Sequence, residues 1–320
     1  MFLNILWLIV GLVAILVGAN LLTDGASAIA KRWGVSDLVV GLTVVAFGTS
    51  APELVISVMS SIQGNAGLAI GNVVGSNIFN VLAIIGITAA VSPIKIERSI
   101  MTKDIPLVVL SALALLAIGN SPLLDGTTDR VLGRVDSILL LLFFCIFMRH
   151  TFSQAKTGAD SQAEREGAHI KQMGIWRAVI YVLVGLAGLV FGGDWFVDGA
   201  SGVASALGVS DAVIGLTIVA AGTSLPELAT SITAAVKGKP GIALGNVIGS
   251  NIFNIFFVLG IAGTVRPLPF GGITNIDLLT MTGACILFWV FGWFFKTRTI
   301  TRWEGLLMAA CYVAYIIALL

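Results

Sequence analysis

The sequence predicts an all-α polytopic membrane protein with ten transmembrane helices, arranged as two inverted five-helix repeats. Three observations lead to this prediction: an apolar composition, a series of long apolar runs, and an internal repeat. Of 320 residues, 57% are hydrophobic and 11% are charged, and the mean hydropathy is +1.01. Soluble domains carry about 25% charged residues. The chain therefore lacks the polar surface of a soluble protein, and it has no basic cluster suited to nucleic acid.

Apolar runs of about 17–25 residues mark helices that can cross a bilayer. The predicted spans are residues 2–22, 36–62, 67–91, 102–119, 131–149, 174–196, 210–236, 241–264, 276–295 and 303–320. The longest polar segment, residues 150–173, is predicted to be a solvated connector. It separates a first repeat, residues 1–149, from a second repeat, residues 174–320.

The internal repeat has an offset of 174 residues. Residues 39–54 read VVGLTVVAFGTSAPEL and residues 213–228 read VIGLTIVAAGTSLPEL, with 12 of 16 positions identical. GNVVGSNIFN at 71–80 recurs as GNVIGSNIFN at 245–254. Because each half has five spans, the second half enters the membrane in the opposite orientation. Inverted repeats are typical of secondary transporters, whose sites lie near the bilayer midplane where the repeats meet.

The basic residues predict the orientation. Of the 18 Lys and Arg residues, fifteen fall in odd-numbered loops, and only Arg130, Arg134 and Arg266 fall in even-numbered loops. Cytoplasmic loops are enriched in Lys and Arg. The chain is therefore predicted to lie in the plasma (inner) membrane with a cytoplasmic connector and with both termini outside.

Glu53 and Glu227 are the only acidic residues predicted near the middle of a span. A charge at a helix centre costs roughly 2.5–3.5 kcal/mol on insertion scales, so it faces a cavity, a partner or an ion. No Lys, Arg or His is predicted at that depth, so we expect a bound cation as the counter-charge. The alternative is a protonated structural glutamate, which is a weaker explanation for two equivalent positions.

Polar groups precede both glutamates at helical spacing. Thr49 and Ser50 come four and three residues before Glu53, which places all three on one face of a continuous helix. Pro52 has no N–H and frees carbonyl groups in the preceding turn. At membrane depth, such carbonyls line a cavity or bind something; an ordinary kink is the alternative. The second repeat has the same pattern, and the predicted ligands from both segments, besides the glutamates, are Ala46, Thr49, Ser50, Ala220, Thr223 and Ser224.

The third and eighth spans add a serine and an asparagine four residues apart. Ser76 and Asn80 form the first pair, and Ser250 and Asn254 form the second. Helix packing through small polar residues is the alternative explanation. Because these spans follow the glutamate helices, we expect ligation.

Oxygen ligands without Cys or His suit hard cations. Calcium takes 6–8 oxygen ligands, and its charge matches two glutamates. Sodium ions can occupy the same carboxylates and the neutral oxygens around them, and mutually exclusive occupancy gives exchange. Protons or another divalent cation remain an alternative. A channel is disfavoured by the inverted repeat, and an intramembrane protease by the absence of His from the spans.

The paired GTSAPE/GTSLPE and GSNIFN/GSNIFN segments resemble the alpha repeats of the calcium/cation antiporter superfamily, specifically the sodium/calcium exchangers. The resemblance covers nearly the whole chain. It implies the exchanger fold and alternating access, in which the first and sixth spans slide across the other eight. It also implies transport of Ca²⁺ and Na⁺, with neither a cofactor nor enzymatic activity. The lipid bilayer is the expected surrounding, and no obligatory protein partner is expected. The resemblance also implies the full set of metal ligands: Glu53, Glu227, Thr49, Thr223, Ser50, Ser224, Ser76, Ser250, Asn80, Asn254 and the main-chain carbonyls of Ala46 and Ala220.

One position departs from part of the superfamily. Some relatives carry Asp where this chain has Asn254, and potassium-dependent exchangers use that Asp. Asn254 therefore disfavours potassium co-transport and leaves two formal charges in the predicted site.

Overall fold

The computed structural model describes residues 2–126, 129–163, 173–208, 220–294 and 298–319. Most of these residues are helical. The helices are α1 (Phe2–Trp33), α2 (Asp37–Thr49), α3 (Ala51–Gln63), α4 (Ala66–Val91), α5 (Ile100–Ile118), α6 (Ser121–Asp125), α7 (Arg134–Ala163), α8 (Ile175–Ala206), α9 (Ala220–Gly222), α10 (Leu225–Val236), α11 (Pro240–Val265), α12 (Asn275–Phe294) and α13 (Arg302–Leu319).

The predicted helical membrane architecture is confirmed. Within the described ranges, eight helices are long and apolar enough to cross a membrane, and α2 and α3 qualify together as one broken span. The predicted seventh span, residues 210–236, is described only from residue 220 onward. That part contains α9 and the apolar helix α10. The predicted connector begins as helix, since α7 continues to Ala163, and residues 164–172 lie outside the described part.

The long helices differ in how far they are buried. In their most apolar stretches, 83% of α4 and 94% of α11 are buried, against 28% of α1 and of α8 and 11% of α13. Exposed side chains on the outer helices are large and apolar, including Leu12, Val13, Leu183 and Val313. An apolar exposed surface is expected of a protein whose solvent is lipid. The two helices carrying GSNIFN are the most fully buried of the eight candidate spans.

Contacts divide the chain into two compact units that do not coincide with the sequence repeats. The first unit comprises Met1–Thr49 and Ser153–Asn246. In it, α1 packs along α8 through glycines: a methyl group at Gly18 would lie 2.8 Å from the carbonyl oxygen of Gly185. Small residues allow such close approach between membrane helices. This unit also contains two ion pairs. Lys237 Nζ lies 2.7 Å from Asp24 Oδ1, and Lys239 Nζ lies 3.3 Å from Asp37 Oδ2.

The second unit comprises Ser50–Phe152 and Val247–Leu320. It contains two antiparallel ladders: β1 (Ile94–Lys95) pairs with β4 (Thr299–Ile300), and β2 (Val131–Leu132) pairs with β3 (Leu268–Pro269). Each ladder joins a strand of one sequence repeat to a strand of the other. The first ladder connects the predicted third and ninth loops. The second connects the predicted eighth loop with Val131–Leu132, which are predicted to begin the fifth span but precede helix α7. The fourth loop therefore extends as far as Gly133. Each ladder therefore pairs two odd-numbered loops or two even-numbered loops. This is expected, because loops separated by an even number of spans lie on the same face of the membrane.

Candidate cation-binding site

The helix that leads to Glu53 is interrupted at Ser50. Helix α2 ends at Thr49, Ser50 has φ −89° and ψ 9°, and α3 begins at Ala51 with Pro52 in its first turn. Proline is well tolerated there because the first N–H groups of a helix have no intrahelical acceptor. The prediction that Thr49, Ser50 and Glu53 share one face of a continuous helix therefore needs revision: the proline starts a new helix.

The second repeat has the same local geometry. Ser224 has φ −97° and ψ 8°, α10 begins at Leu225, and Pro226 lies in its first turn. The N–H of Leu228 donates to the Ser224 carbonyl at 3.1 Å, and the N–H of Leu54 donates to the Ser50 carbonyl at 3.2 Å. Two copies of the GTS-x-PE motif thus form the same helix start in different units.

Both glutamates are buried in the first turn of the helices that these breaks create. Glu53 and Glu227 are each 1% exposed. The N-terminus of a helix carries a partial positive charge, which favours a carboxylate there by about 0.3–1 kcal/mol. That amount is small against the cost of several kcal/mol for burying an ion. The helix start therefore contributes to holding each carboxylate but does not by itself account for its burial.

An asparagine side chain holds the start of each glutamate helix. In the second unit, Asn72 Nδ2 donates to the Glu53 carbonyl at 3.3 Å and to Ser57 Oγ at 3.0 Å. In the first unit, Asn246 Nδ2 donates to the Glu227 carbonyl at 3.2 Å and to the hydroxyl of the residue four further along, Ser231, at 3.0 Å. The two sets of hydrogen bonds are equivalent at the 174-residue offset.

Asn246 also contacts a predicted ligand from the first sequence repeat. Thr49 Oγ1 donates to Asn246 Oδ1 at 3.0 Å and approaches the Ala46 carbonyl at 3.4 Å. All of these residues lie in the first unit, and Thr49, Ala46 and Asn246 are fully buried. The Thr49 hydroxyl proton is thus used within the protein.

Each GSNIFN segment enters a π-helical turn at its end. The turns span Phe79–Ile84 in α4 and Phe253–Val258 in α11. The N–H of Ile85 bonds the Asn80 carbonyl five residues back, and the N–H of Leu259 bonds the Asn254 carbonyl in the same way. Such π-turns are rare and occur frequently at functional sites. Two further π-helical turns are described: Gly41–Val45, which directly precedes Ala46, and Ile100–Asp104 at the start of α5, which contains no predicted ligand.

The asparagines of the second unit are linked across α4 and α11. Asn254 Nδ2 donates to Asn77 Oδ1 at 3.2 Å, and Asn77 Nδ2 donates to the Asn251 carbonyl at 3.2 Å. Within the described ranges, Asn80 Oδ1, Asn254 Oδ1 and Ser250 Oγ are buried and make no hydrogen bond. Buried polar atoms are nearly always satisfied. Three unsatisfied oxygens at positions predicted as ligands are therefore available to a cation.

The structure describes all twelve predicted ligand positions. Except for the half-buried Thr223 and for Ala220, whose side chain is not described, they are buried. The first unit contains Ala46, Thr49, Ala220, Thr223, Ser224 and Glu227, and the second contains Ser50, Glu53, Ser76, Asn80, Ser250 and Asn254. Among the described residues, no group of three or more His, Cys, Asp or Glu side chains is placed to hold a metal ion.

The predicted ligand set does not include Asn72, Asn77 or Asn246. Their contacts with glutamate helices or with predicted ligands were missed. One signal was present, since each of these asparagines lies inside a doubled motif. Spacing within one helix gives no information about contacts to a different helix, so the signal could not be used.

A helical membrane protein in which two repeated helix breaks each bury a glutamate, and which also buries neutral oxygens without hydrogen bonds, has the features of a secondary cation transporter. The family model for the sodium/calcium exchanger protein matches residues 3–152 and 177–320. The chain belongs to the sodium/calcium exchanger family. It is accordingly a membrane cation antiporter rather than an enzyme, in a family that transports Na⁺ and Ca²⁺.

Individual relatives extend over almost the whole chain. The putative antiporter CaxA of Alkalimonas amylolytica is 36% identical, covering 97% of this chain and 96% of its own. The sodium/calcium exchanger MaX1 of Methanosarcina acetivorans is 35% identical, covering 99% and 98%. A structure of the sodium-calcium exchanger NCX_Mj, soaked with Na⁺ and Ca²⁺, has a TM-score of 0.84 and 32% identity, covering 100% of this chain and 99% of that one. The predicted exchanger fold with two repeats is confirmed.

Proposed function

We propose that the protein exchanges sodium for calcium by alternating access. The observation that supports this most directly is the pair of buried glutamates, each in the first turn of a helix restarted at the same motif. Their two negative charges match one calcium ion. The relatives MaX1 and NCX_Mj, whose names state sodium and calcium, favour sodium as the coupling ion.

The proposed ligands have three chemical roles. Glu53 and Glu227 supply charge. The remaining side chains supply neutral oxygens, which suit sodium as well as calcium, and Ala46 and Ala220 supply main-chain carbonyls. The side chains in the neutral group are Thr49, Thr223, Ser50, Ser224, Ser76, Ser250, Asn80 and Asn254.

Coupling follows from the charge of the glutamates. Without a bound cation, two buried carboxylates oppose movement through a low-dielectric barrier, since an uncompensated buried charge costs several kcal/mol. Either loaded form reduces that penalty. Since calcium and sodium would use the same carboxylates, only one loaded form exists at a time, and each crossing of one ion requires the return of the other.

The test is radioactive calcium uptake into sodium-loaded proteoliposomes diluted into sodium-free medium, at the same pH on both sides. Glu53→Gln and Glu227→Gln are each expected to reduce uptake about 100-fold or more, because the charge that holds calcium is lost. Glu97→Gln is the matched control, since Glu97 is an exposed glutamate outside the proposed site. Its uptake should equal that of the wild type.

The gradient on which calcium uptake depends, sodium or pH, identifies the ion that drives transport. Uptake that requires the sodium gradient supports the proposal. Uptake that ignores sodium and follows an imposed pH gradient would instead establish a proton/calcium antiporter, the alternative. No calcium uptake under either gradient would refute calcium as the substrate, and other divalent cations would then be screened.

We further propose that residues 1–149 and 174–320 are the two inverted repeats, joined by the cytoplasmic connector 150–173, in a plasma (inner) membrane with both termini outside. The distribution of basic residues supports this orientation. The ladders of the second unit support the pairing of loops, because each joins two loops of the same parity.

A further inference from the structure

Asn72 and Asn246 occupy equivalent positions in different units and make equivalent hydrogen bonds. Each Nδ2 group donates to the main-chain carbonyl of the glutamate and to the hydroxyl of the serine four residues later, and the four distances lie between 3.0 and 3.3 Å. Two independent copies of one geometry argue against chance packing. We call each set, Asn72 with Glu53 and Ser57 or Asn246 with Glu227 and Ser231, an asparagine bracket.

We propose that Asn246 and Asn72 are positioning residues that set the affinity of the ion site by holding the first turn of each glutamate helix. This inference rests on the proposed function for the identity of the ion. The bracket acts on the backbone of the glutamate rather than on its carboxylate. It therefore fixes the position of the backbone from which the glutamate side chain extends.

The Asn246 bracket has a further connection. Its amide group uses both N–H bonds toward α10 and accepts a hydrogen bond from Thr49 Oγ1 at 3.0 Å. Asn246 is 0% exposed, whereas Asn72 is half-buried. One side chain thus ties the start of the Glu227 helix to the end of α2, where Thr49 and Ala46 lie. Loss of Asn246 should therefore disturb more proposed ligands than loss of Asn72.

The ordinary alternative is that these asparagines only stabilise the fold. The two roles differ in what they change. A purely structural role lowers the amount of folded transporter and so lowers the maximal rate, leaving the calcium KM unchanged. A positioning role raises KM in transporters that are folded, because partners behind the metal ligands typically change metal affinity 10–100-fold when removed.

The experiment measures calcium KM and the maximal rate per folded transporter for Asn246→Ala and Asn72→Ala, with the amount of folded protein determined by size-exclusion chromatography. Asn246→Ala is expected to raise KM about tenfold with a rate within about twofold of the wild type. Asn72→Ala should raise KM less. Asn20→Ala is the control, because exposed Asn20 makes one side-chain hydrogen bond, to the Leu16 carbonyl at 2.8 Å, away from the brackets.

A double-mutant cycle tests the bracket itself. If Asn246 acts through Ser231, Asn246→Ala combined with Ser231→Ala should raise KM no further than Asn246→Ala alone. Additive effects, or an unchanged KM in Asn246→Ala whatever its maximal rate per folded transporter, would overturn the inference. Where Asn246→Ala does not fold, Ser231→Ala and Asn72→Ala still decide it: a raised KM in both supports the bracket, and an unchanged KM in both refutes it.

The wild type separates this inference from the proposed function. If it takes up no calcium under either gradient, calcium exchange fails. The brackets are then tested with the divalent cation that most raises the wild-type melting temperature. The concentration giving half of that rise should increase about tenfold in Asn246→Ala and stay unchanged in Asn20→Ala. An equal concentration in Asn246→Ala and wild type would refute positioning.

Discussion

Asn254 is a single residue that sets the charge of the proposed site. It is fully buried, its Nδ2 donates to Asn77 Oδ1, and its Oδ1 makes no hydrogen bond among the described residues. The neutral amide keeps the proposed site at two negative charges. Sequence reasoning identified the position and its likeness to an Asp in relatives, but the orientation of the amide depends on Asn77 in a different helix.

Replacing Asn254 with Asp should create a requirement for an additional monovalent cation. With three carboxylates, a bound calcium ion leaves one negative charge uncompensated, and burying that charge costs several kcal/mol. In Asn254→Asp we expect calcium uptake, measured at a fixed sodium gradient, to rise severalfold when potassium is added.

The wild type and Asn254→Ser, which keeps a neutral oxygen, should not respond to potassium. Equal uptake of Asn254→Asp with and without potassium would show that the charge of residue 254 does not control the number of bound cations.

At the scale of elements, the close approach of α1 and α8 depends on glycine. A methyl group at Gly185 would lie 2.6 Å from the backbone nitrogen of Leu22 and 2.9 Å from the Gly18 carbonyl oxygen. Real Cβ atoms do not approach backbone atoms so closely, and backbone cannot move aside as a flexible side chain can. The two helices would have to separate along their contact.

Gly185→Ala is therefore expected to lower the melting temperature and the uptake rate, with a destabilisation of about 1–3 kcal/mol typical of overpacking. Gly283→Ala is the control, because Gly283 lies inside α12 with open space where its Cβ would be. Alanine should stabilise that helix by up to about 1 kcal/mol. Equal melting temperatures of Gly185→Ala and Gly283→Ala would show that α1 and α8 can separate without loss of stability.

The ion pairs that Asp24 of α1 and Asp37 of α2 make with Lys237 and Lys239 have a smaller expected effect. The side chains of Lys237 and Asp24 are 29% and 49% exposed. Exposed pairs are typically worth 0–1 kcal/mol and are screened by salt. They account for the positions of Asp24 and Asp37 without adding much to stability.

Elements were predictable to different degrees. Apolar runs located the long helices because hydropathy is a local property of 18 or more consecutive residues. Residues 36–62 are predicted as one span in which Pro52 frees carbonyl groups, with an ordinary kink as the alternative, whereas the structure has a break at Ser50. Proline alone does not distinguish a kink from a new start, since it is compatible with both. The π-helical turns at Asn80 and Asn254 have no recognisable pattern in a single sequence.

At the scale of the whole molecule, the proposed orientation makes a prediction about chemical labelling. In a background without Cys145, Cys285 and Cys311, a cysteine is introduced in place of exposed Arg32 or exposed Gln63. Arg32 follows the predicted first span and Gln63 follows the predicted second, so the proposed topology puts them on opposite faces of the membrane. A membrane-impermeant maleimide added to intact cells should label Gln63→Cys and not Arg32→Cys.

Permeabilised cells provide the control, since both cysteines should then react. The reverse pattern in intact cells would place the termini inside and contradict the proposed orientation. Labelling of both would show that these positions do not lie on opposite faces.

The sequence by itself determined the membrane class, the doubled motif and the two glutamates. Each is a property of composition or of residues close together in the chain, and the 174-residue repeat made the glutamates stand out as a pair. Only the tertiary structure decided the asparagine brackets, the hydrogen bond from Thr49 to Asn246 and the pairing of β1 with β4. These contacts join residues on different helices or loops, in the last two cases about 200 residues apart. Helical periodicity describes the faces of one helix, and only packing selects which faces meet.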